Sequence, residues 1–265
     1  MGTARRCGIW LNSPADYTVQ ATSGTRDAKR RSGLSPIGRE RVDVTTETVI
    51  LFDVDNTLLD NDRFQEELRE HLRLAFGEHA RERYWAAFEK LWSEHGYADY
   101  LGALERYRLE EPHDPRLLRL GNWLLDYSFA DRLYPDALEA VRHARQWGRA
   151  VILSDGDAVF QPRKIDRSGL FRAFNGNVLI YVHKEKELRD VERAYPARHY
   201  VLIDDKLSIL DAVKKIWGDR VTTVFPKQGH YALEAARLAN LPPPDIAIER
   251  IGDLTKYDLA SLKHS

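Results

Sequence analysis

Residues 49–57 read Val49-Ile50-Leu51-Phe52-Asp53-Val54-Asp55-Asn56-Thr57, four apolar residues running straight into carboxylates and turn formers. A Val- and Ile-rich run this short, closed by Asp and Asn, predicts a strand buried on both faces, the pattern of a parallel sheet. Three further runs repeat it: Val151-Ile152-Leu153 into Ser154, Val178-Leu179-Ile180-Tyr181-Val182 into His183-Lys184, and Val201-Leu202-Ile203 into Asp204-Asp205. In an open α/β sheet, chemistry gathers beyond the carboxyl ends of the strands. Carboxylates, a hydroxyl and an ammonium are therefore expected to converge on one crevice.

Between the first and second of these runs the periodicity changes. Asp60, Asn61 and Asp62 are cap-type residues, and Phe64, Leu68, Leu72 and Phe76 recur every fourth position up to Gly77, one face of a helix. A second helix is expected over 79–94, with helical pieces near 98–109 and 115–127. The stretch 61–133 thus reads as an all-helical insert, dense in aromatics that mostly pack against one another. From Tyr134-Pro135 the βα alternation resumes, with Asp136 a candidate N-cap, strands at 149–154, 178–183, 200–204, 221–225 and 245–248, and helices at 157–168, 185–194, 206–217 and 231–239. Such βαβ units with short connections imply right-handed crossovers and a doubly wound, mainly parallel sheet. Residues 47–60 and 134–257 are its core, and 258–265 a C-terminal tail.

Residues 1–46 carry eight basic and four acidic side chains among frequent Ser, Thr and Gly, without sustained periodicity, and are expected to be a disordered basic tail. Its acidic residues speak against an organelle transit peptide, and no apolar run suggests a secretory signal. The whole chain, 265 residues with a net charge of −1, shows no bias toward nucleic acid or an anionic membrane. No apolar stretch approaches the roughly 20 residues that span a bilayer. Cys7 is the single cysteine, which excludes an internal disulfide and fits a reducing, cytoplasmic setting.

Asp53 and Asp55, two apart at a strand end, can both reach the crevice, where Asp204 and Asp205 add negative charge. Four carboxylates against the one strand-end cation Lys184 call for a divalent metal, and all-oxygen ligands favour Mg2+ over Zn2+. Ser154 offers a hydroxyl, and Asp155-Gly156 ahead of a helix offer backbone N–H groups to a phosphate. Lys227, Gln228, His230 and Tyr231 follow another strand and border the same crevice or a solvated loop, while His183 ends its strand. Arg163, Lys164 and Arg167 read as a solvated helix face.

In these motifs the chain resembles the haloacid dehalogenase-like (HAD) hydrolase superfamily over residues 48 to about 255. Asp53-Val54-Asp55-Asn56-Thr57-Leu58 is similar to its first motif, Ser154-Asp155-Gly156 to the second, Lys184 to the third and Asp204-Asp205 to the fourth. The helical stretch sits where this family inserts a cap between the first and second motifs. The resemblance implies a Rossmann-like α/β core with a helical cap and a Mg2+-dependent phosphatase acting on a small phosphorylated metabolite. Asp53 would attack phosphorus, and Asp55 would protonate the leaving oxygen and later activate water. Thr57, Ser154, Asp155, Gly156 and Lys184 would hold phosphate. Asp53, Asp204, Asp205 and the backbone carbonyl of Asp55 would bind the metal.

Two departures stand out. Lys184 is followed by Glu185 where relatives with this cap usually carry Pro, which leaves Lys186 a rival, and Ser208 occupies a place where a further Asp is often found. Dehalogenases of the superfamily lack an acid at the position of Asp55, so its presence points to phosphomonoesters. A phosphomutase and a non-catalytic binding protein on the same scaffold are the alternatives. No nucleic acid or membrane partner is expected, and the motifs carry nothing about oligomeric state.

Overall fold

The architecture follows from how β2 is buried. In this computed structural model, which describes residues 9–10, 46–235 and 240–258, the strands along the chain are β1 (Ile9–Trp10), β2 (Thr46–Phe52), β3 (Arg149–Asp155), β4 (Val178–Tyr181), β5 (Ala197–Ile203), β6 (Val221–Pro226) and β7 (Ile246–Ile248). Ile50 and Phe52 of β2 point into one apolar cluster and Val49 and Leu51 into a second, and all four are fully buried. Side chains that alternate faces and are buried on both need layers of helix above and below. Each such side chain contributes roughly 1.5–3 kcal/mol by leaving water.

The strands pair in the order β1-β4-β3-β2-β5-β6-β7, parallel throughout except for β1, which runs antiparallel on the β4 edge. The sheet is the doubly wound α/β core read from the sequence. The β1 strand corrects one detail, because Ile9-Trp10 fall within the stretch read as a disordered tail. Their backbone pairs Ile9 with Ile180 and Trp10 with Leu179. Two apolar residues leave no periodicity to read, but an open sheet edge offers unpaired N–H and C=O groups to any short extended segment. The rest of that tail up to residue 45, and the C-terminal tail beyond Asp258, lie outside the described residues.

Between β2 and β3 come α1 (Asn61–Phe76), α2 (Glu78–His95), α3 (Tyr100–Glu110) and α4 (Leu117–Asp126). Asp60 caps α1 by accepting the Arg63 N–H at 2.9 Å, and Phe64, Leu68, Leu72 and Phe76 form its buried face as the four-residue spacing requires. These helices share one apolar cluster with the sheet: the Phe64 ring lies 5.1 Å from Tyr100 on α3 and 5.8 Å from Phe160 beyond β3.

The remaining helices are α5 (Ala137–Ala144), α6 (Phe160–Arg167), α7 (Leu170–Ala173), α8 (Leu188–Ala194), α9 (Leu207–Trp217) and α10 (His230–Ala235). Asp136 occupies the N-cap position of α5, but at φ 63° and without a side-chain bond to the helix. The α6 helix starts at Phe160 rather than 157, because the Asp157 carboxylate accepts the Val159 and Phe160 N–H groups at 2.7 and 2.6 Å and sets the start there. Of the basic face expected on α6, Arg163 and Arg167 are exposed as read, and Lys164 is not. Arg163 donates to Leu125 O and Arg167 to Asp126 O, tying α6 to the end of α4, and Lys164 is fully buried.

Candidate active site

Strand register assembles the acidic centre. Phe52 pairs with Ile203 across β2 and β5, so the next residues, Asp53 and Asp204, emerge side by side. The backbone holds them there: Asp53 N–H donates to Ile203 O at 2.9 Å and Asp204 N–H to Val224 O at 3.1 Å. From the turn after β4, Lys184 Nζ reaches 2.5 Å from Asp53 Oδ1 and 2.6 Å from Asp204 Oδ2. Burial disfavours this ammonium, but Asp204, Asp53 and Asp155 outweigh it and hold its pKa well above the ordinary lysine value. Lys186 is exposed, so Lys184 is the lysine that the fold brings to the carboxylates.

Asp53, Asp204 and Asp205 each present an oxygen within 4.8 Å of the others. Asp205 is fully buried, and neither of its carboxylate oxygens has a hydrogen-bond partner among the described residues. Burial and then the neighbouring Asp53 and Asp204 push its pKa well above the carboxylate range, and burial raises Asp204 to about 6. A buried polar group normally finds a partner. An orphaned carboxylate in an all-oxygen cluster of three therefore fits a hard divalent cation. The Asp55 side chain does not belong to this trio.

Asp55 lines the same cleft as Asp53, yet its carboxylate turns toward α6 and accepts Lys164 Nζ at 2.7 and 2.9 Å. Lys164 was not foreseen from the sequence. Its signal was present all the same, since it falls four residues after Phe160 and next to Ile165, on the face that a helix turns inward. Gln161, on the same face, donates from Nε2 to Ser154 Oγ at 2.9 Å.

The residues assigned to phosphate divide. Ser154 and Asp155 border the cleft beside Asp53. Thr57 is fully buried and its Oγ1 accepts the Asp205 N–H at 3.1 Å, which locks the first loop to the fourth. Gly156 N–H is bonded to Tyr181 O at 2.9 Å, and the first N–H groups of α6 are occupied by Asp157. The backbone cradle expected after Ser154 is thus already filled by the chain. Lys206, not anticipated, also lines the cleft. Burial disfavours its charge, but Tyr231, Asp205 and Asp53 more than compensate and raise its pKa.

The helical insert closes the cleft from the other side with Gln65, Trp92, Tyr97 and Ala98. Asn56, in left-handed backbone at φ 60°, accepts the Asn61 and Asp62 N–H groups on its Oδ1 and so joins the loop after β2 to α1. Asp62 in turn binds His230, through its backbone N–H at 2.7 Å and its Nδ1 at 2.6 Å. Burial of Asp62 would raise its pKa, but the bonds from His230 and Asn56 prevail and lower it. Of the other rim candidates, Gln228 braces the loop by donating to Asn56 O and Thr57 O, Tyr231 faces the cleft, and Lys227 pairs outward with Glu249.

Comparison with known proteins agrees with this geometry. A family model described as haloacid dehalogenase-like hydrolase matches residues 47–216. A crystal structure described as a haloacid dehalogenase-like hydrolase from Burkholderia xenovorans LB400 is 58% identical, covers 80% of this chain and 99% of its own, and superposes with a TM-score of 0.77. The L-2-haloacid dehalogenase of Xanthobacter autotrophicus shares the fold at 15% identity and a TM-score of 0.53, over 79% of this chain and 97% of its own. The HAD hydrolase YfnB of Bacillus subtilis, solved with magnesium bound, does so at 16% identity and a TM-score of 0.53, over 79% and 97%. A search of the curated proteins finds no match.

Proposed function

The chain belongs to the haloacid dehalogenase-like hydrolase family, and from that premise we propose that it is a Mg2+-dependent phosphomonoester hydrolase acting on a small phosphorylated metabolite. The observation that carries this reading is Asp55, a second carboxylate two residues beyond Asp53 that borders the same cleft. Cleaving a phosphomonoester requires a proton for the departing alkoxide, and a carboxylate at Asp55 on the wall of the same cleft supports that reading.

In this mechanism an Asp53 carboxylate oxygen forms a bond to phosphorus as the bond from phosphorus to the leaving oxygen breaks, giving an aspartyl-phosphate. Asp55 passes its proton to the leaving oxygen. It then takes a proton from the water that attacks phosphorus and frees Asp53. Acid–base help of this kind is worth about 10²–10⁴ in rate. Lys184, already against Asp53 and Asp204, offsets charge on the transferring group together with Ser154. Mg2+ held by Asp53, Asp204 and Asp205 would add the positive charge that such a transfer needs. Trp92, Tyr97 and Tyr231 shield the reacting atoms from bulk water and leave room for a small substrate body. No helix among the described residues is long and apolar enough to cross a membrane, and a cytoplasmic site of action suits a chain with one cysteine.

The test is a panel of phosphomonoesters assayed for phosphate release with and without Mg2+, beside 2-haloacids assayed for halide release, with Asp53→Asn as the blank. Metal-dependent phosphate release is expected. Halide release without phosphate release would overturn the proposal.

A further inference from the structure

Lys164 is the most enclosed cation near the site, with no exposed surface. Its ammonium lies between 5.5 and 5.9 Å from the ring centres of Phe64, Tyr100, Phe129 and Phe160, within cation–π range of all four. Its hydrogen bonds run to both Asp55 oxygens and, at 3.1 Å, to Asn61 Oδ1 at the start of α1. Asn61 continues the chain of contacts through Nδ2 to the Tyr100 hydroxyl on α3. The ammonium is therefore fixed from three directions: by α6, which carries it, by the loop after β2, and by the helical insert.

Asp55 is the opposite case. It sits on a loop beyond β2, its side chain is 27% exposed, and Lys164 is its only ion-pair partner among the described residues. Among the described residues the only other hydrogen bond to its carboxylate, from Gln161 Nε2, is long at 3.4 Å. Without Lys164 only this long bond from Gln161 would remain, among the described residues, to fix the direction of the carboxylate. An apolar side chain would fill the aromatic box without the desolvation that a buried ammonium entails. The box thus serves the ion pair, and the ion pair serves the direction of Asp55.

We infer that Lys164 is a positioning residue, which holds the Asp55 carboxylate on the cleft wall and ties that placement to the seating of the helical insert. The inference rests on the role of Asp55 in the proposed hydrolysis. It predicts that loss of Lys164 acts on the step Asp55 serves and leaves binding of the phosphoryl group alone.

The experiment is a double-mutant cycle on the Mg2+-loaded protein. Wild type, Lys164→Met, Asp55→Ala and the double variant are compared on phenyl phosphate and on 4-nitrophenyl phosphate, whose leaving group departs with little need of a proton. Lys164→Met is expected to lower kcat on phenyl phosphate about 10²-fold, the scale of a displaced catalytic group. KM should stay within about twofold, the loss on 4-nitrophenyl phosphate should be smaller, and the Asp55→Ala background should show no further loss. Equal losses on both substrates, or additive effects, would overturn the inference while leaving the hydrolase reading intact. That reading fails separately, if wild type releases no phosphate. Lys164→Gln keeps one donor for Asp55 and is expected to recover part of kcat, and it takes over the cycle if the Met variant does not fold. A crystal structure of either variant gives an answer independent of activity. Asp55 turned away from its place supports the inference, and Asp55 unmoved refutes it.

Discussion

Lys184 Nζ and Asp53 Oδ1 stand 2.5 Å apart in a pocket from which water is almost excluded, with 2% and 9% of the two side chains exposed. The lysine is the internal counter-charge of the acidic centre. Lys184→Met would leave Asp53, Asp204 and Asp205 buried with that counter-charge gone. Removing one partner of a buried pair costs about 3–5 kcal/mol, and thermal unfolding is expected to show a loss of that order. Added divalent cation should restore part of it. Lys186→Ala, on an exposed side chain, should leave the melting temperature unchanged. The reverse ranking would show that the ion pair is not what holds the pocket together.

Asp53→Asn separates chemistry from folding. Asn keeps the shape of the side chain but lacks the anionic oxygen, so phosphate release should fall to background. Like charges crowded in one site disfavour each other. Removing one of three buried carboxylates should therefore leave the cation-free protein at least as stable as wild type. Urea titration checks this, and a large loss of stability would mean that Asp53 is mainly a structural partner of Lys184.

The parts of this molecule legible in the sequence are those where one residue type repeats under one constraint. Val49 to Phe52 and Val201 to Ile203 announce strands because burial on both faces admits only apolar side chains, and once they are in register Asp53 and Asp204 must meet. Lys164 fits both a solvated cluster with Arg163 and Arg167 and, by its spacing from Phe160, an inward position, and tertiary packing against Asp55 decides between them. The Gly156 N–H and the start of α6 were misjudged for a related reason: Asp157 and Tyr181 O, which satisfy those donors, are a loop side chain and a neighbouring strand. Ile9-Trp10 carry no pattern of their own, and the sheet edge decides their conformation.

The buried carboxylates make the cation-free protein sensitive to pH. Burial raises Asp204 from 3.8 to about 6 and raises Asp205 well above its ordinary value, so the folded state binds protons that the unfolded state has released. Stability from these groups is fully present below pH 3.8 and is lost as pH rises through about 6 and beyond. A divalent cation replaces those protons, so its stabilising effect should grow with pH. Melting curves at pH 5 and pH 8, with and without Mg2+, are expected to show the larger gain at pH 8. An equal gain at both would mean that the three carboxylates do not form the cation site.

Gly96 ends α2 in left-handed backbone at φ 79°, and a Cβ there would lie 2.5 Å from Cε1 of His183, the residue before Lys184. The helical insert thus touches the core with no room for a methyl group. In Gly96→Ala the backbone strain costs about 1–2 kcal/mol. The clash adds a separate effect, because either the His183 ring or the loop at 96–98 must move, and Gly96, Tyr97 and Ala98 all line the cleft. KM for phenyl phosphate is expected to rise several-fold with a smaller change in kcat, since the displaced groups line the cleft but have no part in the proposed chemistry. Combining the change with His183→Ala removes the clash but not the strain, so KM should return toward wild type while the melting temperature stays low. If the double variant recovers stability and not KM, the contact between Gly96 and His183 does not shape the cleft.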